Sequence, residues 1–268
     1  MAHLAQVLFH LICVKHYSPP RDHEARYFQR SLSESAEFFR RFEGRVDFRG
    51  KQVLDVGCGY GATCIYLALN GAKRTIGIDI EPSRIAFAQA KLASDYPQVA
   101  GAVEFTWVQG LQDLGDERFD LILSQNSFEH IANPEAFVSE VQSLLAPGGL
   151  LAIGFGPLWK SPYGGHISFM TRFPWVHLLF PEAVIMQERG RFGPSDGAET
   201  FEQVTGGLNK MTLRRFTSIM QASGLECLYF RTNVSRRKVA ALARLLSNLP
   251  LCKEYFTFNV YGVWRARQ

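Results

Sequence analysis

The chain has 268 residues and a formal charge of +4 at pH 7, from 29 lysine and arginine against 25 aspartate and glutamate residues. This length fits one large α/β domain or two small ones, and 47% hydrophobic residues indicate a globular protein. The dispersed basic residues argue against a nucleic-acid partner, and five cysteines without a C-x-x-C pair favour reduced thiols in the cytoplasm over a zinc site.

The first fifty residues are predicted to form a helical extension. Apolar residues recur three or four positions apart and predict one amphipathic helix: Phe28, Leu32, Ala36, Phe39 and Phe42. Tyr17, Arg26 and Tyr27 either contact a bound ligand or only pack. The apolar segment 4–14 is too short to span a membrane and has no basic leader, so we do not expect a signal peptide.

A glycine-rich loop follows the first predicted strand. The sequence VLDVGCGYG at 53–61 ends an aliphatic run in Gly57, Gly59 and Gly61, and a helical pattern continues over 62–69. Glycine lets a ligand approach bare backbone, and the helix that follows presents free N–H groups to it. A tight turn without a ligand is the alternative. The pattern also fits the G-x-G-x-x-G/A loop of dinucleotide-binding folds, which is weak alone.

The second predicted strand, over 73–80, has an acid near its carboxyl end. Asp79 lies about twenty residues after the glycine loop, where an acid can accept hydrogen bonds from ribose hydroxyls. A nicotinamide enzyme would carry the same acid. Asp79 could instead cap the helix predicted over 82–93.

Two further segments separate these alternatives. Strands are predicted over 103–110 and 119–124, and the sequence FDLILSQNSFEHI at 119–131 precedes an L-x-P-G-G turn at 145–149. With VLDVGCGYG, these segments resemble the class I, Rossmann-like S-adenosylmethionine-dependent methyltransferases, over about residues 51–156. The resemblance implies S-adenosylmethionine as cofactor and S-adenosylhomocysteine as product. Asp55 supports it, because a buried carboxylate needs a partner and the family's acid lies near the cofactor's amino-acid end.

The resemblance implies a set of cofactor-binding residues: Asp55, Gly57, Gly59, Gly61, Asp79, Ile80, Gly110, Leu111 and Ser124. Where the family often carries an acid for the adenine amino group, this chain has Gly110. Backbone near Gly110 and Leu111, or a side chain from Gln109, Gln112 or Asp113, is expected to replace it.

Residues 157–210 are predicted to form a lid over the substrate. Prolines, glycines and aromatic residues interrupt the helix–strand alternation there. His166 within this insertion and His130 after the fourth strand are the candidate general bases, with packing as the alternative for each. No metal site is predicted.

The remaining segment, 211–268, is predicted to complete the sheet. A helix begins at Thr212 and ends before Gly224, a strand covers 225–232, a helix covers 239–249, and a last strand covers 255–265. The expected fold is a doubly wound α/β protein with a seven-stranded, mainly parallel sheet and an antiparallel last strand. Its parts are the extension 1–50, the cofactor-binding core 51–156, the lid 157–210 and the completion 211–268.

The predicted function is methyl transfer to a small-molecule acceptor, at oxygen rather than nitrogen. A NAD-linked oxidoreductase is one alternative. Another is a membrane-peripheral methyltransferase acting on a lipid-linked intermediate, because the basic run 235–238 leads into an amphipathic segment. Apolar lid residues could assist membrane contact: Leu178, Leu179, Phe180 and Val184. The oligomeric state stays open.

Overall fold

The computed structural model describes residues 2–13, 22–192, 196–233 and 238–267. In this part of the chain, seven strands form one sheet in the order β3-β2-β1-β4-β5-β7-β6. Only β7 runs antiparallel to its neighbours, β5 and β6. The predicted doubly wound sheet with an antiparallel last strand is confirmed.

The strands are β1 (Gln52–Val56), β2 (Arg74–Asp79), β3 (Val103–Trp107), β4 (Phe119–Gln125), β5 (Leu145–Phe155), β6 (Glu226–Thr232) and β7 (Val260–Arg265). The helices are α1 (Ala2–Ile12), α2 (His23–Arg40), α3 (Ala62–Leu69), α4 (Pro82–Asp95), α5 (Pro134–Leu144), α6 (Val176–Leu179), α7 (Glu182–Phe192), α8 (Leu213–Ala222), α9 (Lys238–Ser247) and α10 (Lys253–Phe256). Short 3₁₀ turns cover Pro97–Ala102, Leu111–Leu114 and Phe128–His130.

The strand order places a crevice at the carboxyl edge of the sheet. From β1 the chain first adds β2 and β3 on one side, and then β4 and β5 on the other. Helices leave in opposite directions where the order reverses, and ligands of open α/β sheets bind at such points. We therefore expect the ligand-binding site beyond the carboxyl ends of β1 and β4.

The N-terminal helix α2 lies across this edge. Its buried side is Phe28, Ser35 and Phe38, whereas Ala36 is exposed and Phe39 is half-buried. The predicted stripe is correct at Phe28 and Phe42 and wrong at Ala36, where the neighbouring Ser35 is buried instead. Phe39 instead stacks on Tyr66 of α3, with ring centroids 5.8 Å apart.

The insertion after β5 has a hydrophobic cluster of its own. Phe9 of α1 is fully buried in this cluster, against Phe180 at a ring-centroid distance of 5.0 Å. The hydroxyl of Thr171 also donates to the carbonyl of Ile12 at 2.9 Å. The segment thus packs as a small layer together with α1.

Two predicted boundaries differ from the structure. The L-x-P-G-G turn lies within β5, which begins at Leu145, and the β4–β5 register shifts between Phe119 and Leu121. The start of the predicted last strand was wrong, because Lys253–Phe256 is one helical turn and the strand begins at Val260. By contrast, Thr212 caps α8 as predicted, its side chain accepting from the amide of Arg215.

Candidate functional site

A cleft of about 730 Å³ opens at the carboxyl edge of the sheet. The ends of β1, β2 and β4 and the loop after β3 form its floor, and α2 and residues 205–206 form walls. Of the predicted cofactor residues, seven border the cleft: Asp55, Gly57, Gly59, Asp79, Ile80, Gly110 and Leu111. The structure thus brings these seven residues together around one cleft.

The glycine loop has the conformation that its sequence predicts. Gly57, Gly59 and Gly61 have φ angles of +74°, +55° and +83°, a backbone conformation that residues other than glycine rarely adopt. A Cβ on Gly57 would lie 2.4 Å from the Ser127 hydroxyl. Gly61 does not border the cleft; it caps α3, and a Cβ there would meet the ring of Phe105.

Asp79 supports this loop directly. It is 5% exposed, and its two oxygens accept from the amides of Gly59 and Glu81, each at 2.9 Å. A carboxylate has about four lone-pair sites, so two remain for the hydroxyls of a ribose. The N-cap position of α4 is Glu81, so Asp79 acts on the loop and the turn rather than as that cap.

Asp55 is 2% exposed beneath the loop. Burial raises the pKa of its carboxyl to about 7; the thiol of Cys64, 3.5 Å away, opposes the rise, and the charge of Asp79 adds to it. A ligand ammonium beside Asp55 would favour the ionised form. The site thus fits the amino-acid end of S-adenosylmethionine.

The loop after β3 presents backbone to the cleft. Gln109, Gly110 and Leu111 border it, while Asp113 turns back to accept from the amide of Gln109 at 2.8 Å. Asp113 therefore holds the loop. This leaves backbone groups and Gln109 to face an adenine ring.

The end of β4 contributes residues that the sequence prediction did not include. Ser124 is fully buried and does not border the cleft, whereas Gln125, Asn126 and Ser127 do. The hydroxyl of Thr63 donates to the Gln125 side chain at 3.1 Å, which joins α3 to this end of β4. Because successive side chains of a strand point to opposite faces of the sheet, the side chain of Ser124 lies on the face opposite that of Gln125.

The two candidate histidines are neighbours but differ in exposure to the cleft. Their rings lie 5.5 Å apart, and only His130 borders the cleft. Nδ1 of His130 lies 2.5 Å from the carbonyl oxygen of Gly207. Since a carbonyl oxygen only accepts, Nδ1 carries the hydrogen, and Nε2 of the neutral ring keeps a free lone pair.

His166 lies behind His130. Burial lowers the pKa of His166 to about 4, His130 adds to the effect, and the Pro157 carbonyl opposes it. Its Nε2 is buried without a hydrogen-bond partner in the described part of the chain. A ring with this pKa stays neutral at pH 7 and is a weak proton acceptor.

Glu129, next to His130, is a buried acid. It is 3% exposed, and burial raises its pKa to about 8 although the amide of Gly156 opposes the rise. Its Oε2 has no partner among the described residues, and a cavity of about 10 Å³ adjoins it. Space of this size accommodates about one water molecule.

Helix α2 supplies cleft residues, of which Tyr27 was among the predicted ligand contacts and Arg30, Ser31 and Glu34 were not. Tyr27, Arg30, Ser31 and Glu34 border the cleft, with the Arg30 guanidinium 5.1 Å from the centre of the Tyr27 ring. Arg26, a predicted ligand contact, instead pairs with Asp22 at 2.6 Å. The prediction for Tyr17 lies outside the described residues.

The four insertion residues proposed for membrane contact differ in their exposure to solvent. Leu178 and Leu179 are 38% and 63% exposed, whereas Val184 is buried and Phe180 packs on Phe9. The side chains of the run 235–238 lie outside those the structure describes. Within the described helices, none is long and apolar enough to cross a bilayer.

Comparisons with known proteins relate this chain to methyltransferases. Residues 54–153 match a methyltransferase domain family. A ubiquinone biosynthesis O-methyltransferase of Cereibacter sphaeroides is 37% identical over 117 residues, 44% of this chain and 46% of that protein. The chloroplastic tocopherol O-methyltransferase of Arabidopsis thaliana is 34% identical over 128 residues, 46% of this chain and 35% of that protein. The chain thus spans about half the length of these curated relatives, or less.

A solved structure supports the fold across most of the chain. The S-adenosylmethionine-dependent methyltransferase of Mesorhizobium loti superposes with a TM-score of 0.58, covering 87% of this chain and 99% of that one. At 16% identity, this likeness concerns the fold.

Proposed function

We propose that this chain, whose residues 54–153 form a class I S-adenosylmethionine-dependent methyltransferase domain, methylates a hydroxyl oxygen of a small molecule. The proposal rests on the position of His130, which borders the same cleft as Asp79 and the glycine loop. Its Nδ1 is held by the Gly207 carbonyl. The O-methyltransferase names of the relatives support oxygen over nitrogen.

The donor site would consist of residues from three neighbouring strand ends. Asp79 would accept from the ribose hydroxyls, and backbone at Gly110 and Leu111 would face the adenine. Asp55 would face the amino-acid ammonium, and Arg30 on the opposite wall is suited to the carboxylate. S-adenosylmethionine supplies the methyl group as a sulfonium and leaves as the thioether S-adenosylhomocysteine.

His130 would act as the general base. The acceptor oxygen gains the methyl group and loses its proton, which Nε2 of His130 takes up. The carbonyl of Gly207 holds the ring in the tautomer that leaves Nε2 free. His166, with its pKa of about 4, would position His130 rather than accept the proton.

The first experiment measures the melting temperature with S-adenosylhomocysteine and, separately, with NADH. A rise with the thioether alone supports the donor site, and a rise with NADH alone contradicts it in favour of the oxidoreductase. A tritiated methyl donor then identifies acceptors in fractionated metabolite pools.

The second experiment compares His130→Gln with His166→Gln on the acceptor so found. We expect His130→Gln to lower kcat about 10²–10⁴-fold without changing the affinity for S-adenosylhomocysteine. His166→Gln should cause a smaller loss. Unchanged kcat in His130→Gln would remove its role as base.

The remaining assignments follow from this function. We infer that 51–156 is the donor-binding core and that 157–210 forms the acceptor-side wall, because Thr205 and Gly206 border the cleft. We also place the enzyme in the cytoplasm, since all five cysteines are free thiols. Protease protection of the native protein in fractionated cells tests that placement.

A further inference from the structure

We propose that the methyl acceptor is a hydroxyl-rich, sugar-like molecule without negative charge, and that Glu34 of α2 selects for it. The inference rests on the proposed function and concerns the acceptor half of the same cleft. It names a class of substrate and one residue that discriminates within that class.

The strand order determines which half of the cleft receives the acceptor. The adenine-facing loop follows β3, the ribose-facing Asp79 ends β2, and the glycine loop follows β1. The donor therefore occupies the ends of three adjacent strands in that order. Beyond them along the sheet lies the end of β4, where Asn126, Ser127 and His130 border the cleft. The acceptor must lie there to reach the methyl group.

Glu34 belongs to this half. Earlier in α2, Tyr27 packs on Tyr60 of the glycine loop, with ring centroids 5.6 Å apart. Later in α2, Phe38 packs on Tyr261 of β7 at 6.1 Å. Since β4 and β5 lie between these two anchors in the sheet, Glu34, one turn before Phe38, is on the acceptor side.

The side chain of Tyr261 gives a second indication of this position. Burial raises the pKa of Tyr261, Arg41 opposes the rise, and the charges of Glu129 and Glu34 add to it. The Glu34 carboxylate is therefore close enough to act on the β5–β7 side of the cleft.

Within the described part of the chain, no lysine or arginine lies in ion-pair contact with Glu34. Glu34 is exposed and borders the cleft. Arg30, one turn earlier, lies over the Tyr27 ring on the donor side. An anionic acceptor would thus approach the Glu34 carboxylate, whereas an amine or hydroxyl could bind to it.

The polarity of the acceptor half fits hydroxyl groups. Its bordering residues are mostly hydrogen-bonding: Ser31, Glu34, Asn126, Ser127, His130 and Thr205, with Ile131 as an apolar member. The apolar residues bordering the cleft are spread along it: Ile80, Val108 and Leu111 follow β2 and β3, and Ile131, Ala132, Ala136 and Phe137 follow β4.

The aromatic residues of the insertion do not supply an apolar wall. Trp159, Phe169, Phe180 and Phe192 pack in the cluster around Phe9, away from the cleft. A prenyl chain bound in the cleft would therefore not contact these four rings.

The test measures binding to the protein saturated with S-adenosylhomocysteine, by titration calorimetry. Matched pairs of methyl pyranosides, each with an amino-sugar and a uronic-acid member, are compared with farnesyl hydroquinone. We expect at least tenfold tighter binding of the amino sugar than of the uronate in the best pair, and weaker binding of the farnesyl compound. Glu34→Lys should reverse the order within that pair.

Glu24→Lys, on the same helix but outside the cleft, is the matched control and should keep the wild-type order. The inference fails if the uronate binds as well as the amino sugar, if Glu34→Lys keeps the wild-type order, if the farnesyl compound binds tightest, or if no pyranoside binds. Failure of S-adenosylhomocysteine itself to bind would instead contradict the proposed function.

Discussion

Replacing Glu129 by glutamine should change how the stability of the fold depends on pH. The wild-type carboxyl has its pKa raised from 4.5 to about 8, chiefly by burial. Between these values the folded chain keeps a proton that the unfolded chain releases. Stability therefore falls as the pH rises, by up to about 1.4 kcal/mol per pH unit. Glutamine has the same shape, can accept from the Gly156 amide and has no proton to lose.

The measured quantity is the free energy of unfolding from urea titrations at pH 5, 6, 7 and 8. We expect the free energy of unfolding of the variant, relative to that of the wild type, to increase with pH by about 4 kcal/mol over this range. Asp55 also titrates there, but it is present in both proteins and cancels in the difference. Glu140→Gln, an exposed position on α5, is the matched control. A difference that does not vary with pH would show that Glu129 titrates alike in the folded and unfolded chains, and the reasoning would be refuted.

Three further predictions concern the donor half of the cleft. Gly57 and Gly44 have φ angles of +74° and +77°, so alanine at either position should lower the free energy of unfolding by about 1–2 kcal/mol. Only the new Cβ of Gly57→Ala would contact Ser127 at the cleft, so only that variant should lower the affinity for S-adenosylhomocysteine, by more than tenfold. Equal affinities in the two variants would contradict this. Asp79→Asn should weaken the same binding about 10–100-fold in calorimetry, because an amide nitrogen would face a backbone donor; unchanged binding would exclude Asp79 from the site. Because the pKa of Asp55 is about 7 and its ionised form binds an ammonium, affinity should rise several-fold from pH 6 to pH 8, and Asp55→Asn should remove that rise.

Local sequence predicted the parts of the site that depend on neighbouring residues. The glycine loop, its helix and the acid ending β2 follow from strand and turn chemistry over about thirty residues. The L-x-P-G-G segment was identified, but its inclusion in β5 depends on pairing with β4, which is a contact across the sheet.

Other features depend on contacts between distant parts of the chain. Burial of His166 results from packing of the insertion, and its distance from the cleft cannot be read from its position after β5. Likewise, the aromatic density of 157–210 was visible, but only the partner Phe9 shows which way those rings face. Arg30 and Glu34 were missed because a helix period gives the buried face and not the ligand that an exposed face meets.

Asp79 also has a kinetic consequence. Because it ties Gly59 to Glu81 within the protein itself, the glycine loop is already ordered when a ligand arrives. Little conformational entropy remains to be lost at the moment of capture. Association should therefore be a single fast phase in stopped-flow traces, without the slow isomerisation of a loop that must fold around its ligand.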